Sequence, residues 1–415
     1  MRILGIDTGT TGIGAALYDS ETGEVTETLS LPNKSFIESG AEYERIQDPG
    51  IILDTVREIT EKTYGFDAIG ISGQMHGILY IDKNGSAVSP LYTWQDTRSA
   101  LPYKDGRSYA EHLGVYPGYG LATDFYNREN GLVPDTAAYL CTIGDYIAMK
   151  LCSAEKPLMH ITNAASLGCF DVFENRFTSD TALLPEVTGE FETTGYYKGN
   201  IPVTVCIGDN QASFLGSVPS DDAVLINVGT GAQISYIVDR DTALEIAGDP
   251  ASGAEIRPYD GKKYLAAGCS LCGGRAFSAF EKFCRAAANA AGAEIDSFYP
   301  FLDKMLEQGD TDLTADCRFS GTRKNPGLTG GFSNLTELNF TPRDFALAVS
   351  EGIVTELRGM YSGKENPLIV ASGNGVRKNP AIKRYIEKHF GSAPLFTDYN
   401  EEAAVGAAKS AALSI

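Results

Sequence analysis

Twice in this 415-residue chain an apolar strand runs into a short loop of glycine and threonine and straight out into a second strand. The first copy is Ile3-Leu4-Gly5-Ile6-Asp7, a turn from Thr8 to Thr11, and the run Gly14 to Asp19. The second is Ala223 to Val228, then Gly229-Thr230-Gly231, then Gln233 to Val238. A strand, tight turn and strand make an antiparallel pair, and its recurrence at domain spacing reads as a degenerate duplication. The chain must therefore fold as two similarly built α/β halves.

The surroundings of each loop support this reading. A third extended stretch near Glu24 to Leu31 completes a meander in the first half. Asp48-Pro49 then opens a helix with Ile52, Val56 and Ile59 on one face, and Ala68 to Ser72 returns as a buried strand. The pattern restarts with a strand from Val203 to Ile207 and a helix start from Asp209 to Leu215. Further on, Arg275 to Ala291 and Pro342 to Met360 read as helices, the second with Thr341 as N-cap and Pro342 as its first residue. Pro367 to Ala371 reads as a strand running into Ser372-Gly373-Asn374-Gly375, and Glu401 to Leu413 as a final helix behind Asn400. Domains of 1–217 and 218–415 follow, a length that suits two large cores.

Charge narrows the partners. The formal net charge is −20, which repels nucleic acid and anionic membrane surfaces. No signal-peptide core or membrane-length apolar run is present, and the eight cysteines show no disulfide-like spacing, so a cytoplasmic location is expected. Cys269 and Cys272 form one C-x-x-C without a second pair or a nearby histidine, and small residues in a glycine-rich turn explain it better than zinc.

The Walker pattern, the G-x-G-x-x-G fingerprint and the protein-kinase H-R-D motif are all absent. The loop after Asp7 nevertheless offers what phosphate binding needs. Gly9 and Gly12 allow close backbone approach, Thr10 and Thr11 bring hydroxyl donors, and Asp7 is a carboxylate for Mg²⁺. An ordinary hairpin turn would look similar, but the second copy at Gly229-Thr230-Gly231 makes that reading hard to sustain.

These motifs make the chain resemble the FGGY carbohydrate kinases, within the actin-like superfamily. The first-loop run Gly5 to Thr11 looks like the family's first phosphate motif. The runs Gly73-Gln74-Met75-His76-Gly77, Thr93-Trp94-Gln95-Asp96-Thr97-Arg98 and Asn163-Ala164-Ala165-Ser166 resemble, in order, those of its sedoheptulokinase branch. Ile207 to Ser213 looks like the catalytic segment and Gly373-Asn374-Gly375 like the adenosine-binding turn. The resemblance implies two actin-like (ribonuclease H-like) domains with a central nucleotide and sugar cleft. It implies MgATP-dependent phosphorylation of a small ketose, with sedoheptulose first and xylulose or ribulose as alternatives.

By the same resemblance Asp209 is the catalytic base, and Asp7 with Asp209 positions Mg²⁺. Thr10, Thr11, Gly229, Thr230, Gly274, Gly373 and Asn374 would bind ATP. Gln74, Met75, His76, Trp94, Asp96, Arg98, Asp209 and Asn210 would meet the sugar. The expected partners are the sugar and MgATP, with neither nucleic acid nor membrane, and a homodimer is the candidate assembly.

Each residue also has a plainer reading. Asp209 could be a helix N-cap, Trp94 a core residue and His76 a structural histidine. The polar neighbours of Trp94, and the place of His76 in its motif, favour the sugar. Two departures from the family stand out. Asp124 lies in a run that is more apolar in relatives, so an extra carboxylate could face the sugar, and Cys272 precedes Gly273-Gly274. The rival from another class is an actin-like ATPase switch, which would release ADP without any sugar.

Overall fold

The first strand, β1 (Arg2–Thr8), pairs antiparallel with β2 (Gly12–Asp19), which pairs antiparallel with β3 (Val25–Pro32). A helix, α1 (Pro49–Lys62), leads back into the sheet; its cap is Asp48, whose carboxylate accepts from the Gly50 N–H at 2.7 Å. The apolar face predicted from spacing is the buried one, with Ile52, Val56 and Ile59 all at 0% exposure. β4 (Ala68–Gly73) then lies parallel to β1 on its other side. A short helix, α2 (Ile161–Ser166), precedes β5 (Thr193–Tyr197), β6 (Ile201–Thr204) and β7 (Ile207–Gly208). Helix α3 (Asp209–Ser217) follows without a break. The sheet order is β5-β6-β4-β1-β2-β3, and β7 pairs parallel with the end of β4.

The second half repeats the plan. β8 (Ala223–Val228) pairs antiparallel with β9 (Ala232–Val238). Next come β10 (Ala254–Pro258), β11 (Tyr264–Ser270), α4 (Gly274–Ala290) and α5 (Pro342–Gly359). β12 (Leu368–Ser372) lies parallel to β8, helix α6 (Pro380–Phe390) follows, and β13 (Leu395–Phe396) closes the order β10-β11-β9-β8-β12-β13. Thr341 caps α5 as expected, accepting from the Asp344 N–H at 3.2 Å.

The duplication reaches single residues. Asp7 of β1 stands opposite Ser72 of β4, and Asn227 of β8 stands opposite Ser372 of β12. Ser72 Oγ donates to Asp7 Oδ1 at 2.7 Å, and Asn227 Nδ2 donates to Ser372 Oγ at 2.7 Å.

The computed structural model describes residues 1–307, 309–322, 325–397, 399 and 401–415. The chain divides into Met1–Pro219 with Arg257–Tyr264 and Tyr399–Ile415, and Ser220–Ile256 with Leu265–Asp398. The sequence-based division at 217/218 thus misses two returns of the chain to the first unit. The second return carries helix α7 (Glu402–Ser414); the expectation that Asn400 precedes it falls outside the described residues.

Packing explains why α7 belongs there. Gly5 and Gly70 face each other in the register of β1 and β4, and a Cβ at either would overlap a backbone carbonyl of α7, that of Ala404 or Ala407. Gly216 of α3 and Gly406 of α7 meet the facing helix in the same way. The bare backbones of sheet and helices are in contact, so no side chain can be inserted without moving an element. Lys409 closes the arrangement, its ammonium donating to the carbonyls of Leu215, Gly216 and Val218 at 2.9–3.0 Å. Gly70→Ala should therefore cost about 1–3 kcal/mol of stability, as over-packing does elsewhere, read from the midpoint of denaturant unfolding.

Candidate active site

Three parallel strands, β7, β4 and β1, end side by side. Ile207 and Gly208 pair with Ser72 and Gly73, and Gly73 pairs with Thr8. Whatever follows these strands converges at one edge: the loop 9–11 after β1, Gln74 to His76 after β4, and Asp209 after β7. The carboxyl ends of parallel strands are where open α/β sheets hold their ligands.

The first loop is turned inside out. Its carbonyls are all engaged by the protein: Thr8 O by Gln74 N at 3.1 Å, Gly9 O by Asn33 Nδ2 at 2.9 Å, Thr10 O by Gln47 Nε2 at 2.9 Å and Thr11 O by Asn33 N at 2.9 Å. Among the described residues no acceptor takes the N–H groups of Gly9, Thr10 or Thr11. Successive amides facing one way make an anion-binding nest. Asn33 and Gln47, which hold this shape, carry no motif and escaped the sequence reading. The hydroxyl of Thr10, expected as a phosphate donor, gives its proton to Gln74 Oε1 at 3.3 Å, so the backbone is the better donor here.

Asp209 is the first residue of α3, and the N-cap is Gly208 with no side-chain capping bond. Its carboxylate accepts from the backbone N–H of the next residue, Asn210. Burial, and next the charge of Asp7, push Asp209 up to about 7, while the Asn210 N–H and then Arg257 pull the other way. Burial also raises Asp7 to about 6 against the opposing hydrogen bond from Ser72, with Glu401 adding a further negative charge. Two partly buried carboxylates that repel each other are a donor set suited to a hard divalent cation. No group of three or more protein ligands stands among the described residues, so the rest of such a cation's shell falls to phosphate oxygens and water.

Short α2 supports both sides of this edge. Thr162 Oγ1 accepts from Gly208 N at 3.0 Å, and Asn163 Nδ2 donates to Cys206 O at 3.1 Å, which fixes the strand that carries Asp209. Ser166 Oγ accepts from the backbone N–H of His76 at 3.1 Å, and its carbonyl lies 2.6 Å from His76 Nδ1. His76 needs that support, because its φ of 73° is in the left-handed region that non-glycine residues avoid. Its ring stacks on Tyr119 at 4.5 Å. Met75 is buried, its sulfur 2.8 Å from where a Cβ at Gly208 would stand. Asn210 follows Asp209 with a buried Oδ1 that has no partner among the described residues.

Trp94 is 47% exposed, which removes the core reading, and its indole donates to Thr10 Oγ1 at 2.9 Å. Asp96 and Arg98 are placed otherwise than expected. At 0% and 1% exposure they offer no surface to a sugar. Arg98 Nε and Nη2 bind the two Asp96 oxygens at 2.8 and 3.0 Å, Nη1 binds Asn127, and the guanidinium lies 4.2 Å from the Tyr92 ring centre. The pair is a buried brace behind Trp94. Asp124 is likewise spent, accepting from Tyr80 Oη at 2.8 Å and Arg128 Nε at 2.9 Å.

In the second unit Gly229, Thr230, Gly274, Gly373 and Asn374 all line one cavity of about 1130 Å³. Gly274 N and Arg275 N bind the carbonyls of Gly229 and Thr230 at 2.8 and 2.9 Å, so the start of the 17-residue α4 is fastened to the second loop. A helix N-terminus there favours negative charge. Phe277 and Ile382 give the cavity an apolar wall. Cys272 is buried beside this turn and Cys269 donates weakly to Gln233 Oε1, both as free thiols.

The family model for the N-terminal domain of the FGGY family of carbohydrate kinases matches residues 2–216. The chain belongs to the FGGY family, and the protein is a carbohydrate kinase. Its sequence is 27% identical to mouse sedoheptulokinase, with 98% of this chain and 96% of that one aligned, and 26% identical to the human sedoheptulokinase over the same shares. The fold is that of the xylulose kinase of Bifidobacterium adolescentis, with TM-score 0.75 and 21% identity over 100% of this chain and 92% of that one. The actin-like α/β fold expected from sequence is thus the fold observed.

As the base that the sequence leads one to expect, Asp209 would have to be ionised to accept a proton, so in that role kcat/KM should rise with pH and level off above about 7. The same shift has a cost in stability. The folded value lies above the ordinary 3.8, so ionisation destabilises the ligand-free fold as pH rises from about 4 through 7. Asp209→Asn should raise Tm at pH 8 by a few degrees, with the difference closing toward pH 4, read by calorimetry.

Proposed function

We propose that the protein transfers the γ-phosphoryl group of MgATP to a primary hydroxyl of a ketose, sedoheptulose by preference, giving sedoheptulose 7-phosphate. The observation that carries this reading is Asp209 just after β7, in the same sheet as a loop whose amides no acceptor takes among the described residues. Phosphoryl transfer passes through a loose transition state, so positioning and charge stabilisation are most of what a protein must supply. Asp209 orients the sugar hydroxyl and accepts its proton late. Asp7 and Asp209 would hold Mg²⁺, which supplies charge neutralisation on the phosphate oxygens.

In this reading the amides of residues 9–11 and the hydroxyl of Thr11 take the transferred phosphate. Gly229, Thr230 and the start of α4 take the remaining phosphates, and Gly373 and Asn374 lie toward the adenosine. Trp94 offers a flat apolar face to sugar C–H groups, while His76 and Asn210 supply polar contacts. Asp96 and Arg98 act behind Trp94. The actin-like switch gives way to membership of a carbohydrate-kinase family.

Sedoheptulose is favoured by the near full-length likeness to two sedoheptulokinases. Xylulose is the second reading, favoured by the likeness to the xylulose kinase of Staphylococcus xylosus, 25% identical over 91% of this chain. The test is ADP release from MgATP across a panel of ketoses and polyols, with the phosphorylated position read by NMR. Sedoheptulose should give the highest kcat/KM; turnover of xylulose with none of sedoheptulose would transfer the assignment, and no sugar-dependent ADP at all would end it. Asp209→Asn should lower kcat by about 10²- to 10⁴-fold while nucleotide binding persists.

A further inference from the structure

Gln47 lies outside every motif, yet it is 0% exposed and its amide is bonded at both ends. Its Nε2 donates to Thr10 O at 2.9 Å, and its Oε1 accepts from Gln74 Nε2 at 2.9 Å. Gln74 Oε1 in turn accepts from Thr10 Oγ1 at 3.3 Å. The path leaves Thr10 by its backbone and returns to it by its side chain, and Trp94 Nε1 joins at the same hydroxyl at 2.9 Å.

The polarity of this ring is fixed from two ends. A backbone carbonyl can only accept, so Gln47 must present its NH₂ to Thr10 O and its oxygen to Gln74. Gln74 must then turn its own oxygen to Thr10. An indole N–H can only donate, so the Thr10 hydroxyl must accept from Trp94 and pass its single proton to Gln74. Both requirements give the same arrangement, and neither amide can flip without leaving a buried group unpaired.

We propose that Gln47 is a positioning residue that holds the phosphate loop and the tryptophan face in one register. This rests on the reading of residues 9–11 as the phosphate loop and Trp94 as the sugar face. Gln47 touches neither ligand. It fixes the Thr10 carbonyl inward, which turns the loop amides outward, and through Gln74 it fixes the hydroxyl that pins the indole. The distance between the sugar face and the phosphate nest is thereby set before either ligand arrives.

Trp94 is the only tryptophan in the chain, so its fluorescence reports on the ring without any substrate. In Gln47→Met, acrylamide quenching of Trp94 should rise above wild type. Turnover of the best ketose should fall about 10²-fold in kcat, the cost of a misplacement near 1 Å. Gln47→Met combined with Gln74→Met should cost no more than the worse single change, since both open one ring. Wild-type quenching and kcat in Gln47→Met, or additive losses in the pair, would overturn the proposal.

Should Gln47→Met fail to fold, the ring is read from the surface. Thr10→Val should raise Trp94 quenching, and Thr10→Ser should keep it at the wild-type level; equal quenching in the two would also overturn the proposal. A wild type with no sugar-dependent ADP release would instead remove the kinase reading and leave the quenching result standing.

Discussion

The contact of bare backbones between α7 and the β1–β4 pair is the constraint on which the site depends. Gly5 and Gly70 sit side by side in register and admit the helix at a separation no side chain would permit. Asp7 lies two residues beyond Gly5, and Gly73 three beyond Gly70, so the strand ends that form the site are levelled by the seat of that helix. Helix α3, which opens with Asp209, is held to the same helix at Gly216 and Gly406. The proposed base, metal carboxylate and sugar segment are thus referred to one support, as a reaction that depends on orientation requires. Ser72 Oγ, 3.3 Å from Ala403 O and 2.7 Å from Asp7 Oδ1, ties the carboxylate to the same helix.

A chain of net charge −20 must bind an anionic nucleotide against its own field. In the proposed reading it does so locally. The amides of residues 9–11 have no acceptor among the described residues, whereas the first two amides of α4 are taken by the carbonyls of Gly229 and Thr230, so there the helix dipole is what favours negative charge. In the proposed reading Asp7 and Asp209 put negative charge where a cation is needed; both lie above ordinary carboxylate values, first because they are buried, and then because of the charge of Glu401 beside Asp7 and of Asp7 beside Asp209. A cation bound there would offset both effects. Removing the charge of Asp209 therefore separates stability from turnover, a trade common at functional sites.

Much of this was legible in the sequence. Strand periodicity, the Asp48-Pro49 and Thr341-Pro342 helix starts, and the two glycine-threonine loops each carry local physics that survives into the fold. The C-terminal helix was legible as a helix but not as part of the first unit, because its partners Gly5 and Gly70 lie hundreds of residues away. Asp96 and Arg98 were misplaced for a related reason. Charged residues beside a tryptophan suggest a polar site, but a salt-bridged pair stacked on Tyr92 is also a way to bury charge, and spacing cannot tell the two apart. Gln47 and Asn33 were invisible because a side-chain amide reveals its role only through what it faces.

The two halves share one pairing and differ in its charge. In the first, position 7 is an aspartate that accepts from Ser72; in the second, the equivalent Asn227 donates to Ser372. The geometry is conserved to the same 2.7 Å while the charge is lost and the direction of the hydrogen bond reversed. An amide there suits a cavity meant for phosphates, where a second carboxylate would repel them. A carboxylate suits the strand next to Asp209, where a cation must be held. In the proposed reading the two positions thus differ in charge as their tasks differ, the carboxylate standing beside Asp209 and the amide lining the cavity of the second unit.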